Sequence, residues 1–483
     1  MLKKSASMAP KKGPNTEECV EKTIKLTRSK DLQLHHLPLD VLRCILSRLT
    51  LKEAVRMSIL SRKWERLWKC CPKLVFTRAT MRSSNAMLGR QKTSKTRFVR
   101  RINSILRQLQ SASLNKFVVK FALRKRHKAH IDRWVNFSVA SRTKHLVLDL
   151  CPGMKVSSTD TDDMYTFPLH LFDASSGSCV KSLRLGFVYL TPLPDLCGFA
   201  NLKKLSLHMV TITGEFSCLL PVCAVLEWLS ITRCRMAGLS IAQELSQLHY
   251  LCVQFSFLLK LEIRAPNLVT FMFNDHAIPI MLGEPLIISE ATIGLFSSSD
   301  CFNYVFTDLV NALSHVQSLS INFKINTEVL GFVKNPTRLT NLRHLILNID
   351  ISGWPETTGG ILRLAYILKL APFLEELVLH MCYLNLTIPV LQTIEDTSLP
   401  HPHSHLKTIR MTGFYGLHGQ LELALYLLRN ATSLKCMVID PVVRNKSYIP
   451  PLVVAEKQIY QGRITARTKL WRNNEFRGVL EIL

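Results

Sequence analysis

Leu202-Lys203-Lys204-Leu205-Ser206-Leu207 and Leu226-Glu227-Trp228-Leu229-Ser230-Ile231 share one apolar template. Two apolar residues two positions apart close it, and a third stands three positions before them. The template recurs at Val180/Leu183/Leu185, Leu248/Leu251/Val253, Leu258/Leu261/Ile263 and Leu268/Phe271/Phe273. It returns at Val316/Leu319/Ile321, Leu342/Leu345/Leu347, Leu374/Leu377/Leu379, Leu406/Ile409/Met411 and Leu434/Met437/Ile439, with a partial copy at Leu146/Leu148/Leu150. From Leu183 the middle positions step by 22, 24, 22, 10, 10, 48, 26, 32, 32 and 28 residues. A period of 20 to 50 residues marks stacked supersecondary units. The spacing predicts short parallel strands whose paired apolar residues face one continuous spine. The gap of 48 has room for two units, one of them degenerate, and the steps of 10 imply adjacent strands joined by tight turns.

Residues between the spine positions point the other way, onto an open, concave sheet surface. They include Lys204, Ser206 and His208, then Trp228, Ser230 and Thr232, then Tyr250 and Gln254, then Lys260, Glu262 and Arg264. Trp228, Tyr250, Lys260 and Arg264 are the candidate contact residues for a bound protein, because aromatic side chains and Arg dominate binding hot spots and cations attract acidic partners.

Outside the repeats, Pro38 opens a helix whose Leu42, Ile45, Leu46 and Leu49 form an i, i+3, i+4, i+7 stripe. Thr50 and Glu53 have capping-box spacing for a second helix, and Ser61 caps a third bearing Trp64, Leu67 and Trp68. Three short helices bury too little surface to be secure alone. The stripe, with Leu37 and Pro38, therefore packs on the rest of the chain or on a partner, and Val55 and Trp64 are expected in the local core.

The chain has 483 residues, 47% apolar and 20% charged, which excludes a mostly disordered chain. Its 14 cysteines are too sparse for a disulfide scaffold. No apolar signal segment follows the first residues. The best membrane candidate, His276 to Phe296, contains Glu284, Pro285 and Glu290. An intracellular protein, in nucleus or cytoplasm, is expected.

Lys plus Arg is 62 and Asp plus Glu is 35, a net charge of +27. Arg78 to Arg133 holds 16 Lys or Arg and one acid, Asp132, and supplies +15 of it. A nucleic-acid-binding scaffold using residues 78–133 is one reading. The other is a solvated helix face, since Phe98, Ile102, Ile105, Leu106 and Leu109 recur at helical spacing. The second is preferred.

The run Leu37-Pro38-Leu39-Asp40-Val41-Leu42, then Ile45-Leu46-Ser47-Arg48-Leu49, resembles an F-box. So does its continuation: Lys52-Glu53-Ala54-Val55-Arg56, Ser58-Ile59-Leu60-Ser61-Arg62, Trp64 and Leu67-Trp68. The repeats beyond it resemble leucine-rich repeats. Gly413-Phe414-Tyr415-Gly416, Leu421-Glu422-Leu423-Ala424, Tyr426-Leu427-Leu428-Arg429-Asn430-Ala431 and Met437-Val438-Ile439 look like an FBD motif. Together they are similar to the plant F-box proteins with leucine-rich repeats and a C-terminal FBD motif.

The resemblance implies an α/β chain, with a three-helix F-box followed by a leucine-rich-repeat solenoid of parallel strands. The expected divisions are a disordered basic tail (1–33), an F-box (34–76), a basic linker and solenoid entry (77–140), repeats (141–400), an FBD motif closing the solenoid (401–440) and an unassigned tail (441–483). It further implies a non-enzymatic substrate-recognition adaptor of an SCF-type cullin-RING ubiquitin ligase. Leu37, Pro38, Leu42, Ile45, Leu46 and Leu49 would dock a Skp-type adaptor and through it a cullin, and the repeats would hold a protein target. No catalytic residue, metal or cofactor is expected, and neither a membrane nor nucleic acid is an expected partner. His401, His403 and His405 are close enough to suggest zinc, but no further ligand stands at a suitable spacing. Gly359-Gly360 reads as a helix-entry turn, not a phosphate loop.

Overall fold

A computed structural model describes residues 37–59, 62–81, 94–109, 113–153, 163–172, 179–192, 198–236, 238–283, 287–296, 301–326, 338–352, 361–384, 402–444, 456–471, 476 and 478–483. The expected tail at 1–33, the Ser61 cap, Gly359-Gly360 and His401 lie outside these residues.

Three helices lead: α1 (Leu39–Arg48), α2 (Leu51–Met57) and α3 (Arg62–Leu67). Pro38 sits at the N-cap of α1, where its missing N–H costs nothing. The Thr50–Glu53 capping box forms: Glu53 Oε2 accepts the Thr50 N–H, and Thr50 Oγ1 accepts the Glu53 N–H. Leu42, Leu46, Leu51, Ala54, Trp64, Leu67 and Trp68 are buried together. Val55, expected in that core, is 38% exposed. It stands one turn beyond Leu51, at the margin of the buried side of α2.

Fifteen strands among the described residues make one parallel sheet whose spatial order is the chain order. It starts at Lys73–Thr77, lying against α2, and ends at Leu480–Ile482. Leu183, Leu205, Leu229, Leu251, Phe271, Ala291, Leu319, Leu345, Leu377, Ile409 and Met437 pair in register, strand after strand. A second row two residues on, including Leu207, Ile231 and Leu347, is as deeply buried. The expected spine is therefore one continuous core. The degenerate unit in the 48-residue gap is the strand Glu290–Leu295, with Ala291 at its middle position.

The steps of 10 do not give adjacent strands. The strand Leu261–Arg264 belongs to a separate three-stranded sheet, with Leu239–Glu244 and Ile280–Met281. Each such repeat carries two strands that face one core from opposite sides. Leu261 and Ile263 alternate as the main-sheet residues do, for the same reason: both are fully buried. A second small sheet, Tyr165–Thr166, Val188–Leu190 and Thr211–Ile212, repeats the device.

Several main-sheet strands end alike. Phe187, Met209, Arg233 and Phe255 each take a positive φ of 57°, 53°, 53° and 53°. Their N–H groups donate to the carbonyls of His208, Thr232, Gln254 and Asn274 on the next strand. The left-handed kink is costly for a non-glycine residue, and the repeated hydrogen bond fixes it.

The segment from Leu406 to Asp440 is a strand (Thr408–Thr412), a glycine-bounded loop, a helix (His418–Asn430) and a strand (Cys436–Asp440), as its pattern predicts. It does not close the sheet. Leu480–Ile482 pairs with Met437 to Ile439, so the unassigned tail supplies the last strand. The sheet also begins before the expected entry, at Leu74 and Phe76, and runs through Lys116–Lys120 inside the basic linker. Among the described residues no helix is long and apolar enough to cross a membrane.

Candidate interaction surfaces

The helical unit presents two classes of apolar side chain. Leu42 and Leu46 are 0% and 1% exposed, shut inside the chain's own core. Leu37, Ile45 and Leu49 are partly buried against it, and only Pro38 of the expected docking set is exposed. The i, i+4 pair Leu42/Leu46 thus packs inside the chain's own core. Sequence reasoning missed the freely accessible apolar groups: Leu39 and Val41 on α1, Val55 on α2, and Ile59 just beyond it, 85% exposed. Spacing alone did not set them apart: Leu39 stands three residues before Leu42, Val41 four before Ile45 and Val55 four after Leu51, and only their exposure shows that the core leaves them uncovered.

The second surface is the face of the large sheet turned away from the spine. Register places Lys73, Lys116, His145, Ser182, Lys204, Trp228 and Tyr250 in one row across seven neighbouring strands. Val75, Val118, Val147 and Arg184 form the next row, and Thr77, Lys120, Asp149 and Gly186 the third. Trp228 and Tyr250 stack with centroids 3.4 Å apart and planes 10° from parallel. The Lys204 ammonium lies 5.4 Å from the Trp228 ring centroid, a cation–π distance. The Tyr250 hydroxyl approaches Met272 Sδ at 3.1 Å, and burial pushes its pKa up to about 12.

The structure brings Trp228 and Tyr250 together but not Lys260 and Arg264. Lys260 directly precedes, and Arg264 ends, the strand Leu261–Arg264 of the small sheet, so neither lies on the large sheet's open face. The Lys260 ammonium pairs at 3.4 Å with Glu262, which also accepts the Ser240 hydroxyl. That exposed pair contributes little. The cation that does stand beside the aromatic stack is Lys204, placed on the open face from sequence but not among the candidate contact residues.

The basic segment divides by role. In α4 (Lys95–Gln108) Phe98, Val99, Ile102 and Leu106 are buried while Arg97, Arg100 and Arg107 face solvent. Arg124 is not part of any solvated run: it is buried, its guanidinium 4.5 Å from the Phe187 ring and bonded to the carbonyls of Leu123 and Leu150. His403 is also structural. Its Nε2 donates to the Ala371 carbonyl at 2.8 Å, and its Nδ1 accepts the Leu406 N–H at 3.1 Å. Among the described residues no group of three or more His, Cys, Asp or Glu could hold a metal.

With these surfaces described, comparison with known proteins gives two family matches. The family described as At1g61320/AtMIF1, LRR domain, matches residues 105–459. The F-box domain matches residues 34–76. Among curated relatives, the chain is 23% identical over 444 residues to the F-box/FBD/LRR-repeat protein At1g13570 of Arabidopsis thaliana, covering 90% of this chain and 96% of that one. It is 24% identical over 417 residues to the F-box/LRR-repeat protein At1g06630 (80% and 95%), and 24% identical over 467 residues to F-box/LRR-repeat protein 13 (90% and 96%), both also from Arabidopsis thaliana.

Proposed function

Because the chain belongs to the At1g61320/AtMIF1 LRR-domain family and carries an F-box domain, we propose that it is a substrate-recognition adaptor of an SCF-type cullin-RING ubiquitin ligase. The F-box docks a Skp-type adaptor and through it a cullin, in nucleus or cytoplasm. The open face of the solenoid holds a target protein, and the segment Leu406–Asp440 serves as the FBD motif. No nucleophile of this chain takes part. Its contribution is proximity: a captured target stands where a ubiquitin-charged enzyme, bound elsewhere in the assembly, meets its lysines.

The observation that carries the reading is the F-box match joined to exposed apolar side chains that the chain's own core leaves uncovered. These, rather than Leu42 and Leu46, are the docking residues. The test is co-expression with a Skp-type adaptor followed by capture. Pro38→Ser/Val41→Asp and Val55→Asp/Ile59→Asp keep the melting temperature but lose adaptor, each anchoring side chain being worth about 2 kcal/mol or more of binding. Undiminished capture by both variants would sink the docking assignment, and no capture by the wild-type chain would sink the function.

A further inference from the structure

Charge on the open sheet face is divided. From Lys73–Thr77 to Lys204–His208 the outward residues include Lys73, Lys116, Lys120, Arg184 and Lys204, against the single carboxylate of Asp149. Asp149 is only 8% exposed, and it accepts the Cys151 N–H. Lys144 and Lys181 extend the basic strip just before the strands. The next residue in that line, Lys203, is neutralised by Glu227. Beyond Tyr250 the face is mixed, with Glu290 and Glu376 as well as Arg410.

Between the row of Lys73, Lys116 and Lys204 and the row that holds Lys120 and Asp149 runs a largely aliphatic one. Val75, Val118 and Val147 are direct neighbours across three strands. Val118, in the middle, is only 4% exposed, whereas Val75 and Val147 on either side of it stay partly exposed. Beside Lys120 a cavity of about 330 Å³ opens, lined also by Arg78 and Phe121. At the far end of the basic half stands the Trp228–Tyr250 stack.

We infer that the half of the open face from Lys73 to Tyr250 binds an extended acidic segment of the target protein, one that alternates carboxylates with aliphatic side chains. This rests on the adaptor reading and names the chemistry of its target. A segment lying across the strands sets its aliphatic side chains on the accessible parts of Val75 and Val147. Its carboxylates then meet Lys73, Lys116 and Lys204 on one side and Lys120 on the other. Rows two residues apart along a strand are roughly 7 Å apart, within reach of side chains on both edges of an extended chain. Nucleic acid fits less well. Single-strand binders offer free aromatic faces for bases to stack on, whereas Trp228 and Tyr250 already spend one face each on the other, and the central row is aliphatic.

The test uses the full chain bound to a Skp-type adaptor. The probes are a short fluorescein-labelled peptide alternating Glu with Val, its Lys-for-Glu counterpart, and a labelled oligothymidylate, read by fluorescence polarisation. The Glu peptide binds, its affinity falls as salt rises, and the Lys peptide does not bind. Lys116→Glu/Lys204→Glu weakens the Glu peptide more than about tenfold, as charge reversal at an interface does. Lys407→Glu, at the Glu375 ion pair of the other half, leaves it unchanged. Equal binding of the Glu peptide by the double variant overturns the inference, as does preference for oligothymidylate. Absence of Glu-peptide binding by a chain that still holds the Skp-type adaptor also overturns it, and leaves the adaptor reading standing. Failure of the wild-type chain to hold that adaptor overturns the reading beneath it.

Discussion

Trp228 and Tyr250 occupy the same register position on adjacent parallel strands, and their rings stack 3.4 Å apart at 10°. A cross-strand aromatic pair contributes about 0.5–1.5 kcal/mol beyond the area it buries. A double-mutant cycle of Trp228→Ala and Tyr250→Ala, followed by urea denaturation, is expected to show coupling of that size. Strictly additive losses would mean that the two rings are merely adjacent.

Gly413 combines a φ of +70° with a backbone so close that a Cβ would lie 2.0 Å from the Met381 carbonyl oxygen. Gly153 has a similar φ of +69° and open space around it. Gly153→Ala costs about 1 kcal/mol for backbone strain alone. Gly413→Ala is expected to cost clearly more, since the strand from Glu376 to Tyr383 must also move, and thermal melts of the two variants compare them. Equal losses would show that the loop yields without disturbing its neighbour.

His145 stands in the basic row with Lys116 on one neighbouring strand and Ser182 on the other. Burial, followed by the charges of Lys116, Lys181, Lys144 and Lys204, holds its imidazole below the usual histidine range. In the unfolded chain the ring takes a proton near pH 6.5; in the folded chain it does so only at lower pH. The unfolded state therefore binds more protons, and stability falls as pH drops below about 6.5. His145→Gln is expected to flatten that decline, measured as urea midpoints between neutral and mildly acidic pH. A ring titrating at or above the usual value by NMR would contradict it.

The spine was legible because a period of two, repeated a dozen times, leaves few registers that bury Leu205, Leu229 and Leu345 together. The same regularity misplaced Lys260 and Arg264. Leu261 and Ile263 bury as fully as Leu251 and Val253, and nothing in alternation tells the two sides of one core apart. Ala291 escaped because a short side chain holds a spine position that the template reserves for large ones. Leu480–Ile482 is too short to show a pattern. In the helical unit, the stripe Leu42/Ile45/Leu46/Leu49 was visible for the reason that it is mostly internal. Of the accessible residues, Val41 shares helical spacing with Ile45 and Leu49 and Ile59 lies just beyond α2, so only burial separates them from core residues.

The first strand, Lys73–Thr77, lies against α2 and is linked, strand by hydrogen-bonded strand, to the other fourteen of the large sheet. The chain thus has a ruler where many modular proteins have a tether. Six strand spacings separate Lys73 from Tyr250, roughly 30 Å at about 4.8 Å each. Anything gripped there cannot swing as it would on a flexible leash. Its reach from the helical end is set by which strands it spans, and shifting the grip by one strand changes which of its own lysines lie within range.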